Sequence, residues 1–97
     1  MALHALGLRV AELDARSRDQ LGLEAGEGVR ITAVDSAEAR EAGLLPGMAI
    51  LRVGRTPVGS VAELERQLRG VGAGDAVMLL VRSPSGQTSF VALTVAS

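Results

Sequence analysis

Near the amino terminus, a single glycine stands between two leucines directly ahead of an alternating stretch, in the order Leu6, Gly7, Leu8. Glycine adopts backbone dihedrals that a β-carbon forbids, so the chain can turn sharply at Gly7 before it extends. Over residues 8–13 apolar residues alternate with others, which predicts a half-buried strand. The N–H groups of such a turn, starting at Ala5, can converge on a small anion-binding concavity. A plain turn followed by a strand is the alternative, because this short pattern is common.

The rest of the chain consists of short apolar runs that are separated by glycine and proline turns. Asp14 and Ser36 have the character of helix N-caps, and Ser60 with Glu63 forms a capping box. Apolar residues then follow Ser60 at helical spacing, which predicts one amphipathic helix. The predicted strands are residues 8–13, 28–34, 48–53, 76–81 and 88–95, and the predicted helices are residues 15–21, 37–42 and 60–69.

This order of elements predicts an α+β fold that is mainly β. We expect a small antiparallel barrel or sandwich of five to six strands, covered by two to three short helices. A chain of 97 residues is long enough for a single domain with a modest core. The domain is therefore expected to span residues 1–97, with its core at about residues 6–95.

Composition excludes several functions. The net charge is −1 and Phe90 is the single aromatic residue, so neither phosphate attraction nor base stacking supports nucleic-acid binding. The chain has no cysteine, and no metal-ligand cluster is evident in the sequence. No serine has the histidine and aspartate partners of a nucleophile, and the single histidine, His4, is expected to be solvated. We expect no catalytic residues, no cofactor, no membrane insertion and, from the first residues, no signal peptide.

Several motifs together resemble the PDZ domains of bacterial Do/HtrA-type periplasmic serine proteases. The run Ala42-Gly43-Leu44 is followed by Pro46-Gly47 and then by a β-run, and a helix begins at the appropriate distance after Ser60. The resemblance extends over about residues 6–95. It implies a PDZ fold of the bacterial, circularly permuted type. More narrowly, the chain resembles the second, C-terminal PDZ domain of such a protease. The chain would then be a non-catalytic piece of a larger periplasmic serine endopeptidase.

The resemblance also implies a mechanism and a set of site residues. A ligand strand would pair with the edge strand at residues 8–13, and its terminal carboxylate would accept N–H bonds at the glycine turn. Its last side chain would enter an apolar pocket. Val61, at the start of the helix, would favour an apolar ligand residue two positions from the end. The implied peptide-binding residues are Leu6, Gly7, Leu8, Arg9, Val10, Val61, Leu64, Glu65 and Leu68.

Two functional readings stay open at this point. In the first, the domain captures apolar C-termini or extended hydrophobic segments of unfolded proteins. In the second, it is an assembly element that contacts other domains or subunits of the parent protease and binds little peptide itself. Each aliphatic site residue also has a simpler interpretation as ordinary core.

Overall fold

The computed structural model of the chain describes residues 2–3 and 6–95, with the backbone alone for residues 2–3. Over this part the protein has seven strands and three helices. In chain order they are β1 Ala2–Leu3, β2 Leu8–Glu12, α1 Ala15–Leu21, β3 Val29–Val34, α2 Ala37–Glu41, β4 Ala49–Val53, β5 Thr56–Pro57, α3 Val61–Leu68, β6 Ala76–Arg82 and β7 Thr88–Thr94.

All the described strands belong to one antiparallel sheet. Its order is β1-β2-β3-β4-β6-β7, and β5 pairs with β4 beside that path. Strands β6 and β7 form a hairpin that is paired along its full length, from Ala76 opposite Thr94 to Arg82 opposite Thr88. The predicted mainly-β, antiparallel fold with short helices is confirmed. Among the described residues the outer strands β1 and β7 do not pair with each other, so the sheet is open rather than closed into a barrel.

Each predicted strand and helix forms within one or two residues of its expected bounds. The predicted caps form too. The side-chain oxygens of Asp14, Ser36 and Ser60 each accept a hydrogen bond from the backbone N–H three positions later, at 2.7, 3.0 and 3.1 Å. Gly22 ends α1 with a φ of 72°, a left-handed conformation that suits glycine. Local capping chemistry therefore fixes where each helix begins.

The core lies between the sheet and the helices and has a larger and a smaller part. The smaller part surrounds α1, where Leu13 and Leu21 pack with residues of β4. The larger part, called here the main core, joins β2, β3, β4 and the β6–β7 hairpin to α2 and α3. Its buried members are Leu6, Leu8, Val10, Val29, Ile31, Ala39, Leu44, Ile50, Val58, Leu64, Val77, Leu79, Val81, Val91, Leu93 and Val95.

Candidate functional site

The turn ahead of β2 takes the left-handed form that the sequence predicts. Gly7 has a φ of 68°, and its carbonyl oxygen accepts hydrogen bonds from the backbone N–H groups of Asp35, at 2.7 Å, and Ser36, at 3.3 Å. A β-carbon at Gly7 would overlap the side chain of Ser36. Glycine is therefore required here by both its dihedral angle and its close approach to the start of α2. Ala5, the first residue of the predicted turn, and His4 lie outside the described residues.

The edge of β2 differs from the sequence-based expectation. The prediction left this edge open to a ligand over residues 8–13. In the structure β1 lies on that side, with Leu3 opposite Leu8 and Ala2 opposite Arg9. Strand β3 occupies the other side of β2. The chain therefore places two of its own residues against the edge, beside the glycine turn, and the expectation of an open edge is wrong at Leu8 and Arg9.

Helix α3 packs against β2 and β4 and covers part of the main core. Leu64 on the core side is fully buried, which contributes roughly 1.5–3 kcal/mol to folding. Val61, Glu65 and Leu68 are half-buried and lie four and three positions apart, so they share one face of the helix. Val61 and Leu68 pack against the main core. This face offers two partly accessible apolar side chains with a carboxylate between them.

Apart from Gly7, the predicted site residues fall into three groups. The structure brings Leu6, Leu8, Val10 and Leu64 together in the main core, with 0–4% of each side chain exposed. Val61, Glu65 and Leu68 flank that cluster from α3. Arg9 lies on the opposite face of β2, where its Nε donates to an Asp35 carboxylate oxygen at 3.0 Å. The accessible apolar surface of the candidate groove therefore comes from α3, whereas the leucines of β2 and of the turn are buried in the main core.

Glu12 is a residue of the site that the sequence did not indicate. Its Oε1 atom accepts a 2.8 Å hydrogen bond from the backbone N–H of Val61. A carboxylate at a helix N-terminus also interacts favourably with the helix dipole. Glu12 is the last residue of β2, so this bond ties the far end of the edge strand to the first turn of α3.

Arg18 is the second residue that the sequence did not indicate. Its guanidinium group donates to the carbonyl oxygens of Glu27, at 3.0 Å, and Gly59, at 3.3 Å. A β-carbon at Gly59 would overlap the carbonyl oxygen of Gly26. These contacts fix the segment that leads into α3. No spacing rule in the sequence points to them, since Arg18 and Gly59 are 41 positions apart.

The predicted site residues are mainly aliphatic, and Arg9 and Glu65 are the charged members. Among residues 2–3 and 6–95, no group of three histidine, cysteine or acidic side chains could hold a metal ion. No helix in the described part of the chain is long and apolar enough to cross a membrane.

A cleft of about 410 Å³ lies elsewhere, beside α1. It is lined by Leu13, Ser17, Gln20, Leu21, Arg30, Gly47 and Pro84, none of which is a predicted site residue.

Known proteins are similar to this chain in sequence and in structure. No family model matches the chain. A probable periplasmic serine endoprotease, DegP-like, from Chlamydia trachomatis serovar D is 38% identical over 82 residues, which are 82% of this chain and 16% of that protein. Its counterpart from Chlamydia muridarum is 37% identical over 82 residues, with the same coverage. The chain thus spans about a sixth of the length of the curated relatives that it matches.

Solved structures of HtrA-type proteins also resemble this chain. The HtrA-type protease AlgW with a decapeptide has a TM-score of 0.76 at 25% identity, covering 94% of this chain and 28% of its own. The PDZ domain of HtrA3 bound to a phage-derived ligand has a TM-score of 0.64 at 18% identity, covering 94% of this chain and 81% of its own. The chain is an HtrA-type PDZ domain. The predicted family is therefore confirmed.

Proposed function

We propose that this PDZ domain captures apolar C-termini or extended hydrophobic segments by adding them as a strand beside β2. The peptide takes the position that β1 occupies, next to the glycine turn and along the accessible face of α3. The observation that carries this proposal is the half-buried pair Val61 and Leu68 on α3, the helix that packs against β2.

A ligand strand beside β2 has to replace the pairing that β1 makes with Leu8 and Arg9. Within residues 2–3 and 6–95, β1 pairs with β2 at two positions, Ala2 with Arg9 and Leu3 with Leu8, and a ladder of two positions contributes few hydrogen bonds. A longer ligand strand forms more of them and also places side chains against α3, as in other cases of β-strand addition. A peptide of four or five residues is therefore expected to compete with β1 for pairing at Leu8 and Arg9.

The residues of the groove set the preferred ligand. Val61 offers no hydrogen-bond donor or acceptor in its side chain, so the ligand position that it faces should be apolar. Leu68 packs against the main core, to which Leu6 and Leu8 belong, and is suited to an aliphatic terminal side chain. The terminal carboxylate would lie at the Gly7 turn, where successive N–H groups can form an anion-binding nest.

The interface is small, below about 1,200 Å² in total, which is typical of weak and reversible binding. In a parent protein with several copies of the domain, such binding gains strength through effective concentration. This suits the tethering or regulation of substrates.

We further propose that the parent is a periplasmic serine endoprotease and that this domain is its second, C-terminal PDZ domain. The support is the naming of the two chlamydial relatives as probable periplasmic serine endoproteases. Unfolded periplasmic proteins would then supply the ligands, and other domains or subunits of the parent would be further partners.

A peptide titration followed by NMR tests the proposal. A peptide of five or six residues with an aliphatic C-terminus should shift the resonances of Leu8, Arg9 and Leu68, and its amidated form should bind more weakly. Leu68→Glu should abolish binding, whereas Arg66→Glu, on the exposed side of α3, should leave it unchanged. Shifts that are absent across a varied set of apolar peptides would contradict the proposal.

A further inference from the structure

The outer face of the β6–β7 hairpin is apolar and exposed. Phe90, the single aromatic residue of the chain, is 65% exposed, and Met78 is 47% exposed. The register pairs Phe90 with Leu80, which is half-buried, and Ala92 with Met78. Both pairs point to the same side of the sheet, because side chains two positions apart share a face. These residues, Met78, Leu80, Phe90 and Ala92, form what is called here the outer patch.

Strand β7 also has a backbone edge to which no other strand pairs within residues 6–95. At the two ends of the hairpin, Ser83 donates to the Gln87 carbonyl at 2.8 Å and Val95 donates to the Asp75 carbonyl at 2.9 Å. Antiparallel ladders alternate, so the odd-numbered residues of β7 bond to β6. The N–H and C=O groups of the even-numbered residues therefore point away from β6, and these residues are Thr88, Phe90, Ala92 and Thr94.

This edge lacks the features that usually keep an exposed strand from pairing. Soluble proteins protect such edges with charged side chains, proline, bulges or short strands. Strand β7 is seven residues long, and its sequence Thr-Ser-Phe-Val-Ala-Leu-Thr contains no charge, proline or glycine. The β2 edge, in contrast, includes Arg9 and Glu12. Two β7 strands can therefore lie side by side without placing like charges opposite each other.

We propose that two copies of this domain associate through β7, in an antiparallel pair with its two-fold axis at Val91. This register overlaps both strands over their full length and uses every outward-pointing N–H and C=O group. The hydrogen-bonded pairs are Phe90 with the partner's Ala92 and Thr88 with the partner's Thr94. Each pair exchanges two hydrogen bonds, which agrees with the alternation in the hairpin.

The side chains fit the same register. Each Phe90 lies opposite the small side chain of the partner's Ala92, so the ring has room to cover its neighbour. The two outer patches then join in rows across the axis, in which Leu80 and Phe90 are followed by the partner's Ala92 and the partner's Met78. The absence of charge and the pairing of large with small residues favour a second copy over an unrelated peptide strand as the occupant.

Association through β7 is independent of peptide capture, because β7 lies at the opposite edge of the sheet from β1 and β2. A single strand pair with a partly buried patch forms a small interface, so association should be weak and dependent on concentration. It would matter most where copies of the domain are held close together.

Sedimentation analysis of the 97-residue chain over a wide concentration range tests the proposal. Ala92→Pro removes an N–H group that points away from β6, so the hairpin keeps its own bonds. This variant should weaken the dimer about tenfold or more. Ala92→Ser keeps the N–H group and should behave as the wild type. Phe90→Lys provides a second test, because two lysines on diagonal positions repel and should weaken the dimer most at low salt.

Amide hydrogen exchange locates the contact. At high concentration, protection should rise at Thr88, Phe90, Ala92 and Thr94, while the odd-numbered residues of β7 stay protected at all concentrations. A wild-type chain that stays monomeric up to about millimolar concentration would overturn the proposal. A dimer that Ala92→Pro and Phe90→Lys both leave intact would also do so, as would protection that appears only on adding an apolar peptide.

Discussion

Glu12 Oε1 accepts a 2.8 Å hydrogen bond from the backbone N–H of Val61, which joins the end of β2 to the start of α3. The two residues are 49 positions apart in sequence. Val61 also lies on the face of α3 that we assign to the ligand. The bond therefore sets the distance between the two walls of the candidate groove at the end far from the glycine turn.

Replacing Glu12 with alanine should lower the free energy of unfolding by about 1 kcal/mol, the usual value for a lost helix-terminal acceptor. Glu12→Gln should cost less, since its amide oxygen still accepts the bond while the charge at the helix N-terminus is lost. Urea denaturation measures both. Glu41→Gln, at an exposed position of α2, is the control and should be close to neutral. Equal stability of Glu12→Ala and wild type would show that the bond contributes nothing.

Gly7→Ala should be strongly destabilising, by roughly 3 kcal/mol, because the new β-carbon combines a left-handed φ with an overlap against Ser36. Gly54 provides a matched control. Its φ is 61°, but a β-carbon there meets no atom within 4 Å, so Gly54→Ala should cost only about 1–2 kcal/mol. Thermal unfolding of both variants measures the difference. If the two variants lose the same stability, the overlap of the new β-carbon with Ser36 adds no cost to Gly7→Ala.

Removing residues 1–3 should raise the affinity for apolar peptides, because β1 then no longer competes for Leu8 and Arg9. Calorimetry of the full chain and of residues 4–97 with the same peptide makes the comparison. A severalfold gain is expected. Weaker binding after truncation would mean that β1 is part of the ligand site rather than its competitor.

Asp14 gives a prediction for acid stability. Its carboxylate accepts the Ser17 backbone N–H at 2.7 Å, and this bond is the main cause that lowers the pKa of Asp14 below its ordinary value of 3.8. A lowered pKa in the folded state means that Asp14 stabilises the fold above pH 3.8 and loses this contribution as the pH falls through the folded-state value. Asp14→Asn keeps a capping oxygen but does not titrate. Its stability should match that of wild type at pH 7 and fall less below pH 4, and a parallel decline of both proteins would contradict the assignment.

Much of the fold could be predicted because its determinants are local. The caps Asp14, Ser36 and Ser60 are recognised from their residue types and from the helical segments that follow them. The strands are recognised from alternation, from short apolar runs and from β-prone residues. The glycine turn could also be predicted, because a left-handed backbone conformation favours glycine and Gly7 directly precedes the alternating stretch.

What the sequence did not reveal depends on distant or very short contacts. Strands β1 and β5 have two residues each, too few for a pattern. The bonds from Glu12 to α3 and from Arg18 to Gly59 connect segments 41 or more positions apart. Exposure of Phe90 was equally hidden, because an aromatic residue in an apolar strand usually indicates core.

The central claim, that an apolar peptide occupies the groove between β2 and α3, is tested most directly by intermolecular NOEs. A peptide with an aliphatic C-terminus should show contacts from its last side chain to the methyl groups of Leu68, and from the residue two positions earlier to the methyl groups of Val61. Contacts confined to Met78 and Phe90 of the outer patch, or to neither surface, would contradict the assignment of this groove.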